Sequence, residues 1–431
     1  MTATQRISFT KMTQKQAAAA AARHEMLYAG RMGGARAVFS FCDLSGLNLS
    51  GHNLADADFT GAILEETNLA GAHLETTSFF GADLRRANLQ GASLRRADMR
   101  GASFRGANLI GADLYEADLR EGTIAQKDRY GELHALQREI GPSELPQALL
   151  NSANLERTRM TGVMAVQADF TDAIMRSCRL ARANLRNAKL NGANLENADL
   201  SGCDLRGAEL AGAVLIGARM TYAKLEGVDL SSALTESSCG RELASLGEPV
   251  QDLLDAHSRW VETDGREGRP VDLTGMDLRS LHSLAHRPFT ALIAPGAVMY
   301  GLDLEGAILQ GSNLQDCDLR CARLMRADLR GVNLRGAKLS NADLRDAKLG
   351  PLLISDTRLL PARLDGAQAR YTDFRGADLR RAKLNDADLS YANLNDANLR
   401  DVDLSSAILT GAKLPLIVSE SLGALQVDGR G

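Results

Sequence analysis

An all-β solenoid is the fold this sequence predicts, and three observations predict it. From Phe39 to Ile124 every fifth residue is Leu, Phe, Met or Ile, beginning Phe39, Leu44, Leu49, Leu54, Phe59 and Leu64. The residue two before each is usually Ala and the one just before it is usually Asp or Asn, as in Ala82-Asp83-Leu84-Arg85-Arg86 and the next unit, Ala87-Asn88-Leu89-Gln90-Gly91. The same beat returns in a second array centred from Leu150 to Leu230 and a third from Leu284 to Leu414. A fixed short period marks an architecture in which each unit buries its apolar side only by stacking on its neighbours.

The beat resembles the pentapeptide-repeat family, whose motif reads Ala-Asp/Asn-Leu-X-X. The resemblance covers roughly two-thirds to three-quarters of the chain and implies a right-handed quadrilateral β-helix with four pentapeptides per coil. In that fold the central residue and the Ala two before it point inward, and the other three positions face solvent. The sequence agrees, with Leu, Phe and Ala in the inner slots and Arg, Asp, Asn, Lys and Glu in the outer ones. Such a core is narrow and aliphatic, which suits a chain of 431 residues with only 4% aromatics. At four units per coil the arrays make about 15 coils, a rod roughly 70–75 Å long at ordinary strand spacing unless breaks divide it.

Taken in order, residues 1–38 read as a basic helical cap. Thr13 to Ala29 is Ala-rich and helical, and Gly30, Gly33 and Gly34 follow it. Residues 39–230 form the first repeat module, interrupted by a loop at 125–149 that changes the frame. This loop keeps apolar residues such as Leu133 and Leu136, so it reads as an ordered excursion or as an inert insertion. Residues 231–283 form a linker and a second helical cap, with Leu246, Val250, Leu253, Leu254, His257 and Val261 at helical spacing. Both openings place a His in the helix (His24, His257), then glycines, then an Arg (Arg36, Arg269), which points to two modules of similar plan. Val271-Asp272-Leu273 and Met276-Asp277-Leu278 are less regular units leading into the second repeat module, 284–414, whose frame is unbroken but weak at Ala294, Ile354, Leu359 and Ala369. Pro415 stops the beat, and 415–431 is a tail set to fold over the last coil. Caps matter because an open coil end leaves unpaired backbone groups that invite association.

Composition bounds the function. The formal charge is −4, there is no apolar run long enough to span a membrane, and the N-terminus lacks a signal-peptide pattern, so a cytoplasmic, bacterial-type protein is expected. Cys42, Cys178, Cys203 and Cys317 occupy the inward slot normally held by Ala, Cys239 lies in the central break, and Cys321 faces outward; reduced packing residues are expected rather than disulfides or a metal site. The resemblance also implies a functional alternative. Members of the quinolone-resistance type mimic DNA and occupy the DNA site of gyrase, which needs sustained anionic faces. Between first and last centres, the first array carries 7 Lys/Arg and 12 Asp/Glu, the second 10 and 9, and the third 18 and 16. Only the first is acidic, so mimicry along the whole chain is disfavoured. Arginines twenty apart, such as Arg85 and Arg105, share a face, but Asp and Glu beside them neutralise it and direct nucleic-acid binding is not expected. The basic N-terminal segment reads first as a solvated cap.

No catalytic constellation is present. The seven His residues show no metal-ligand spacing, and neither a Walker loop nor a nucleophile elbow occurs, so neither enzyme activity nor a cofactor is expected. The functional candidates are departures from the beat. Lys127, Asp128, Arg129, Tyr130 and His134 lie in the first break, and in DNA-mimic relatives loops leaving the coil tune partner engagement. Trp260, the only Trp, sits beside His257 and Arg259 and reads as a cap residue before a partner anchor. The run Gly350-Pro351-Leu352-Leu353-Ile354 to Leu359-Leu360-Pro361 places apolar residues in outward slots, either as an adhesive patch or packed on the neighbouring module. The expectation is a non-catalytic protein-interaction scaffold whose partner the sequence does not name, with gyrase or topoisomerase modulation through the first module as the alternative. Helical caps leave dimerisation open, although the tail after Pro415 is short and has no aromatics.

Overall fold

Each pentapeptide makes one short parallel bridge and one turn. The residue before each centre pairs with its counterpart twenty residues on: Val38 with Asp58, Asp43 with Ile63, Asn48 with Asn68, Asn53 with His73. Four bridges per twenty residues give four parallel ladders. The central residue donates its N–H to the next turn (Leu64 N–H to Asp83 O, 2.7 Å), and the residue before it donates to the previous turn (Asp83 N–H to Ala62 O, 2.9 Å). Between bridges, the Ala N–H closes a turn onto the preceding centre, as from Ala87 to Leu84 O at 3.1 Å. The second residue after a centre takes positive φ, +62° at Gly81 and +56° at Arg86, the third position of a type II turn. Asp or Asn before the centre accepts the N–H two residues on, as Asp58 Oδ1 does from Thr60 at 2.9 Å. This Asx contact is a physical reason for the Asp/Asn preference.

The computed structural model describes residues 9–122, 125–127, 133–135, 142–237, 240–355 and 357–415. The chain divides into two compact units, residues 1–237 and 238–431. In each, Leu, Phe, Met and Ala of the inner slots form one continuous core, almost all of it fully buried. Stacking is literal in places: Phe39, Phe59 and Phe79 lie with ring centroids 4.8 and 5.0 Å apart. Where the inward Ala is replaced by Thr, Ser or Cys, the polar atom donates to a carbonyl of the turn before. Thr67 Oγ1 reaches Leu44 O at 2.9 Å, Ser312 Oγ reaches Phe289 O at 3.0 Å and Cys203 Sγ reaches Leu180 O at 2.8 Å. Burial pushes the thiols of Cys203 and Cys317 up to about 12. Cys239 lies outside the described residues.

Unit 1 opens with strand β1 (Thr10–Lys11) and helix α1 (Gln14–Tyr28), and β1 pairs in parallel with β2 (Cys42–Asp43). The helix starts in a capping box, Thr13 with Gln16, and buries Ala17, Ala21 and His24 along one face. The ladder is left near residue 120 and resumed at Glu144, which bridges Ser103 forty-one positions before it. The departure is therefore shorter than 125–149. The unit Ser143-Glu144-Leu145 is already in the coil, with buried Ser143 standing in the Ala slot and donating to Met99 O at 3.0 Å. Within the departure, β3 (Ala125–Lys127) and β4 (Leu133–Ala135) pair antiparallel.

Unit 2 opens with residue Arg241 bridged to Met276, a 3-10 turn at Leu243–Leu246 and helix α2 (Val250–Glu262). The coil starts earlier than Leu284: Asp272 bridges Ile293 and Asp277 bridges Val298, twenty-one apart, and a 3-10 turn at Arg279–Leu281 takes up the extra residue. The unbroken frame across 350–361 is a coincidence of length. Asn333 bridges Arg363, thirty positions on, and the ten additional residues leave the ladder as the antiparallel hairpin β5 (Leu352–Ser355) and β6 (Arg358–Leu360). The units centred on Ile354 and Leu359 are thus not coil. An insertion of two whole periods preserves the beat, so frame alone did not reveal it. The tail beyond 415 lies outside the described residues.

Candidate functional site

The first turn of a parallel ladder has N–H and C=O groups with no preceding turn, and α1 meets them with side chains. Gln14 donates from Nε2 to Asn48 O (2.7 Å) and accepts Asn48 N–H at Oε1 (2.8 Å), so its amide replaces a missing strand residue. Glu25 accepts Asn53 N–H, His24 Nε2 donates to Ala55 O at 2.7 Å, and Arg36 donates to Asp56 O. His24 Nδ1 accepts Ala37 N–H at 3.0 Å, which fixes the ring as the Nε2-protonated neutral tautomer. Tyr28 donates to Ala55 O and to Asp56, and partial burial with that carboxylate beside it pushes its hydroxyl up to about 12.

Unit 2 repeats this plan. Val271 N–H donates to His257 Nδ1 at 3.1 Å, and Arg269 N–H to Ala256 O, matching Ala35 N–H to Arg23 O in unit 1. The glycines after each helix are there for close approach. A Cβ at Gly34 would lie 2.4 Å from the Leu27 nitrogen, and one at Gly268 (φ +76°) would lie 2.1 Å from the Ala256 oxygen. Trp260 is partly exposed, its ring centroid 5.6 Å from that of His257, and its indole lies against Gly265. These contacts place it in the cap.

On the outer faces the charges neutralise one another, both within one repeat and between stacked turns. In Asp204-Leu205-Arg206, Asp204 Oδ1 accepts Arg206 Nε at 2.8 Å and Oδ2 accepts Nη2 at 2.5 Å. Asp98–Arg100, Asp118–Arg120, Asp328–Arg330, Asp343–Arg345, Asp373–Arg375 and Asp378–Arg380 repeat the fork. The hydrogen bond from Arg206 holds the Asp204 carboxyl down to about 2. Stacked pairs add to these, including Arg96–Glu116 and Arg219–Asp199. Sequence reasoning anticipated the stacked pairs and missed the fork, although its signal, Asp-X-Arg across a centre, is plain. Where Asn stands for Asp, at Asn184-Leu185-Arg186 and Asn398-Leu399-Arg400, the Asx contact remains and Arg186 and Arg400 have no ion pair among the described residues.

Of the residues singled out in the first break, Lys127 ends β3 opposite Leu133, and His134 sits opposite Gln126 on β4. Asp128, Arg129 and Tyr130 belong to the connection between those strands and lie outside the described residues. Lys127 and His134 are brought to neighbouring rungs of one hairpin in unit 1, whereas Trp260 belongs to unit 2. The second hairpin turns Leu352 and Leu360 onto the ladder over Gly331 and leaves Leu353, Ile354 and Leu359 exposed at 62%, 52% and 42%. Among the described residues there is no cluster of three His, Cys, Asp or Glu suited to a metal, and no helix long and apolar enough to cross a membrane.

A family model for pentapeptide repeats matches residues 37–75, 77–120, 145–176, 178–213, 193–231, 297–336, 307–346, 355–386, 362–401 and 382–415, well over half of the chain. Comparison with curated proteins finds no match. Among solved structures, alr5209, a pentapeptide repeat protein from Nostoc PCC 7120, is 35% identical over 26% of this chain and 82% of its own, with a TM-score of 0.21. HetL, a pentapeptide repeat protein involved in heterocyst differentiation regulation from Nostoc sp. strain PCC 7120, is 21% identical over 91% of this chain and 95% of its own, with a TM-score of 0.13. QnrB1, a plasmid-mediated fluoroquinolone resistance protein, is 17% identical over 45% and 91%, with a TM-score of 0.25.

Proposed function

The chain belongs to the pentapeptide-repeat family, and from that premise we propose that it is a non-catalytic, cytoplasmic protein-interaction scaffold of bacterial type, built as two right-handed quadrilateral β-helical modules. The observation that carries this reading is the consumption of surface charge by forks such as Asp204–Arg206 and Asp343–Arg345. Faces neutralised in this way have little to offer a phosphate backbone. What remains for a partner is at the departures from the ladder. The hairpin of β3 and β4, with Lys127, Asp128, Arg129, Tyr130 and His134, is the first candidate reading head, and Trp260 is a second, lesser anchor. The test is a native pull-down with the full chain beside a variant whose residues 125–141, the part of the break that precedes the resumed coil, are replaced by a Gly/Ser link. Proteins captured by the first and lost by the second support the scaffold. Turnover of any compound that depends on one outer-slot residue would sink it.

A second reading is kept because the first array holds 7 cationic against 12 anionic residues. By it, unit 1 modulates DNA gyrase or another topoisomerase through its more acidic faces. A stoichiometric excess of the protein that leaves gyrase supercoiling and quinolone poisoning unchanged excludes it.

A further inference from the structure

The same hydrogen bond closes both caps, and it tolerates only an unprotonated ring nitrogen. Ala37 N–H and Val271 N–H belong to the first inward slots of their coils and have no preceding turn to bond; each instead donates to a histidine Nδ1, at 3.0 and 3.1 Å. A proton on Nδ1 turns that acceptor into a second donor facing the first. The two sites differ in what else surrounds the ring. His24 has Ala55 O as acceptor for Nε2, and Glu25, Asp56, Tyr28, Arg36 and His52 lie about it. His257 is fully buried between Phe289 and Trp260, with ring centroids at 5.9 and 5.6 Å. Its Nε2 closes no hydrogen bond among the described residues, although the Thr290 backbone, in the place Ala55 holds in unit 1, faces it.

Two carboxylates at this second cap are paired. On α2, Asp255 pairs with Arg287 of the coil and also accepts from Gln251, while Arg259 is exposed. In the flanking loops Arg269 pairs with Glu248. The other carboxylates of α2, Asp252 and Glu262, are exposed, and an imidazolium at 257 would be a buried charge facing the Val271 N–H. We propose that His257 is an acid-operated latch: its protonation releases α2 from the first turn of unit 2 and uncovers the edge of the ladder there.

The sign follows from the burial. Burial holds the folded-state pKa of His257 below the ordinary histidine value, so the unfolded or released form takes the proton more readily. The latch is at full strength above the ordinary range, near about pH 6.5, and is lost as pH falls through the depressed folded value. Trp260 reports on it directly, being the only Trp of the chain and within α2.

The experiment is a titration of Trp260 emission in the full chain from neutral pH into mild acid, with amide exchange of 250–262 followed in parallel and corrected for intrinsic rates. The wild type is expected to shift its emission to the red and to exchange α2 about tenfold faster relative to the coil. His257→Asn, whose amide oxygen accepts from Val271 without titrating, is expected to abolish both changes, and His24→Asn to leave both in place. A loss of intensity without a red shift or faster exchange means that the ring titrates in place, and overturns the release. So does a transition that persists in His257→Asn. Should that variant already be open at neutral pH, wild-type exchange alone decides, and its failure to rise in acid overturns the proposal.

Discussion

An aspartate one place before the central leucine makes two kinds of contact at once. Its Oδ1 closes the turn through a backbone N–H, and both oxygens receive the arginine two residues on, as at Asp204 and Arg206. Asp204→Asn keeps the first and loses the ion pair, as the chain itself does at Asn184. Because the Arg206 side chain is partly exposed and the pair is screened by salt, the expected loss is no more than about 1 kcal/mol, read by urea titration at low and high salt. The folded carboxyl lies below its unfolded value, so its contribution is present above the ordinary carboxylate range and disappears as pH falls through about 2. A thermal melt series over that window is expected to separate wild type from Asp204→Asn at its upper end and to bring them together at its lower end. The inward polar residues make a second residue-scale case. Thr67→Ala restores the commonest inward residue and deletes a donor whose acceptor, Leu44 O, also receives Leu47 N–H. The expected change is within about 1 kcal/mol, measured by denaturant midpoint, because neither partner is left without a bond.

At the scale of elements, the period of five and the Asp/Asn preference made the ladders legible, because a stacked coil has no freedom to place charged residues inside. The helical caps were legible for a similar reason: Leu254 and His257 follow helical spacing, and the glycines mark where the chain turns back on the helix. What the chain concealed were its irregularities. The unit at Ser143 was hidden by a hydroxyl in the alanine slot, and the hairpin of β5 and β6 by a length of two periods. The forks of the outer faces went unread although Asp-X-Arg recurs across the centres, because it is the turn that brings the two side chains together. Two predictions belong here. Gly268→Ala puts a methyl group against the carbonyl of Ala256 at a positive φ, so α2 should detach locally, with faster amide exchange at 250–262 and unit 1 unaffected. Deleting 351–360 should leave the ladder intact, since Asn333 then meets Arg363 after twenty residues; stability is expected to change by about 1–2 kcal/mol, the loss of the apolar cover over Gly331, as read by a urea midpoint.

At the scale of the whole molecule, the chain holds two cores, each with its own histidine-closed opening. In a repeat structure stability accumulates from neighbour to neighbour, so a unit that owns its cap does not need the other in order to fold. Residues 238–431 expressed alone are expected to show the circular dichroism and cooperative melt of a folded β protein; a sloping, non-cooperative melt would contradict this. The hairpin of unit 2 has an outcome for those who build with proteins. The chain departs after Leu349 and returns by Arg363, and both residues are held by ladder hydrogen bonds, to Asp378 and Val332. Residues 351–360 between them are carried by the coil without joining its ladders. That opening is a natural port for a grafted epitope, tag or binding loop, displayed on a rigid mount that does not have to unwind to receive it.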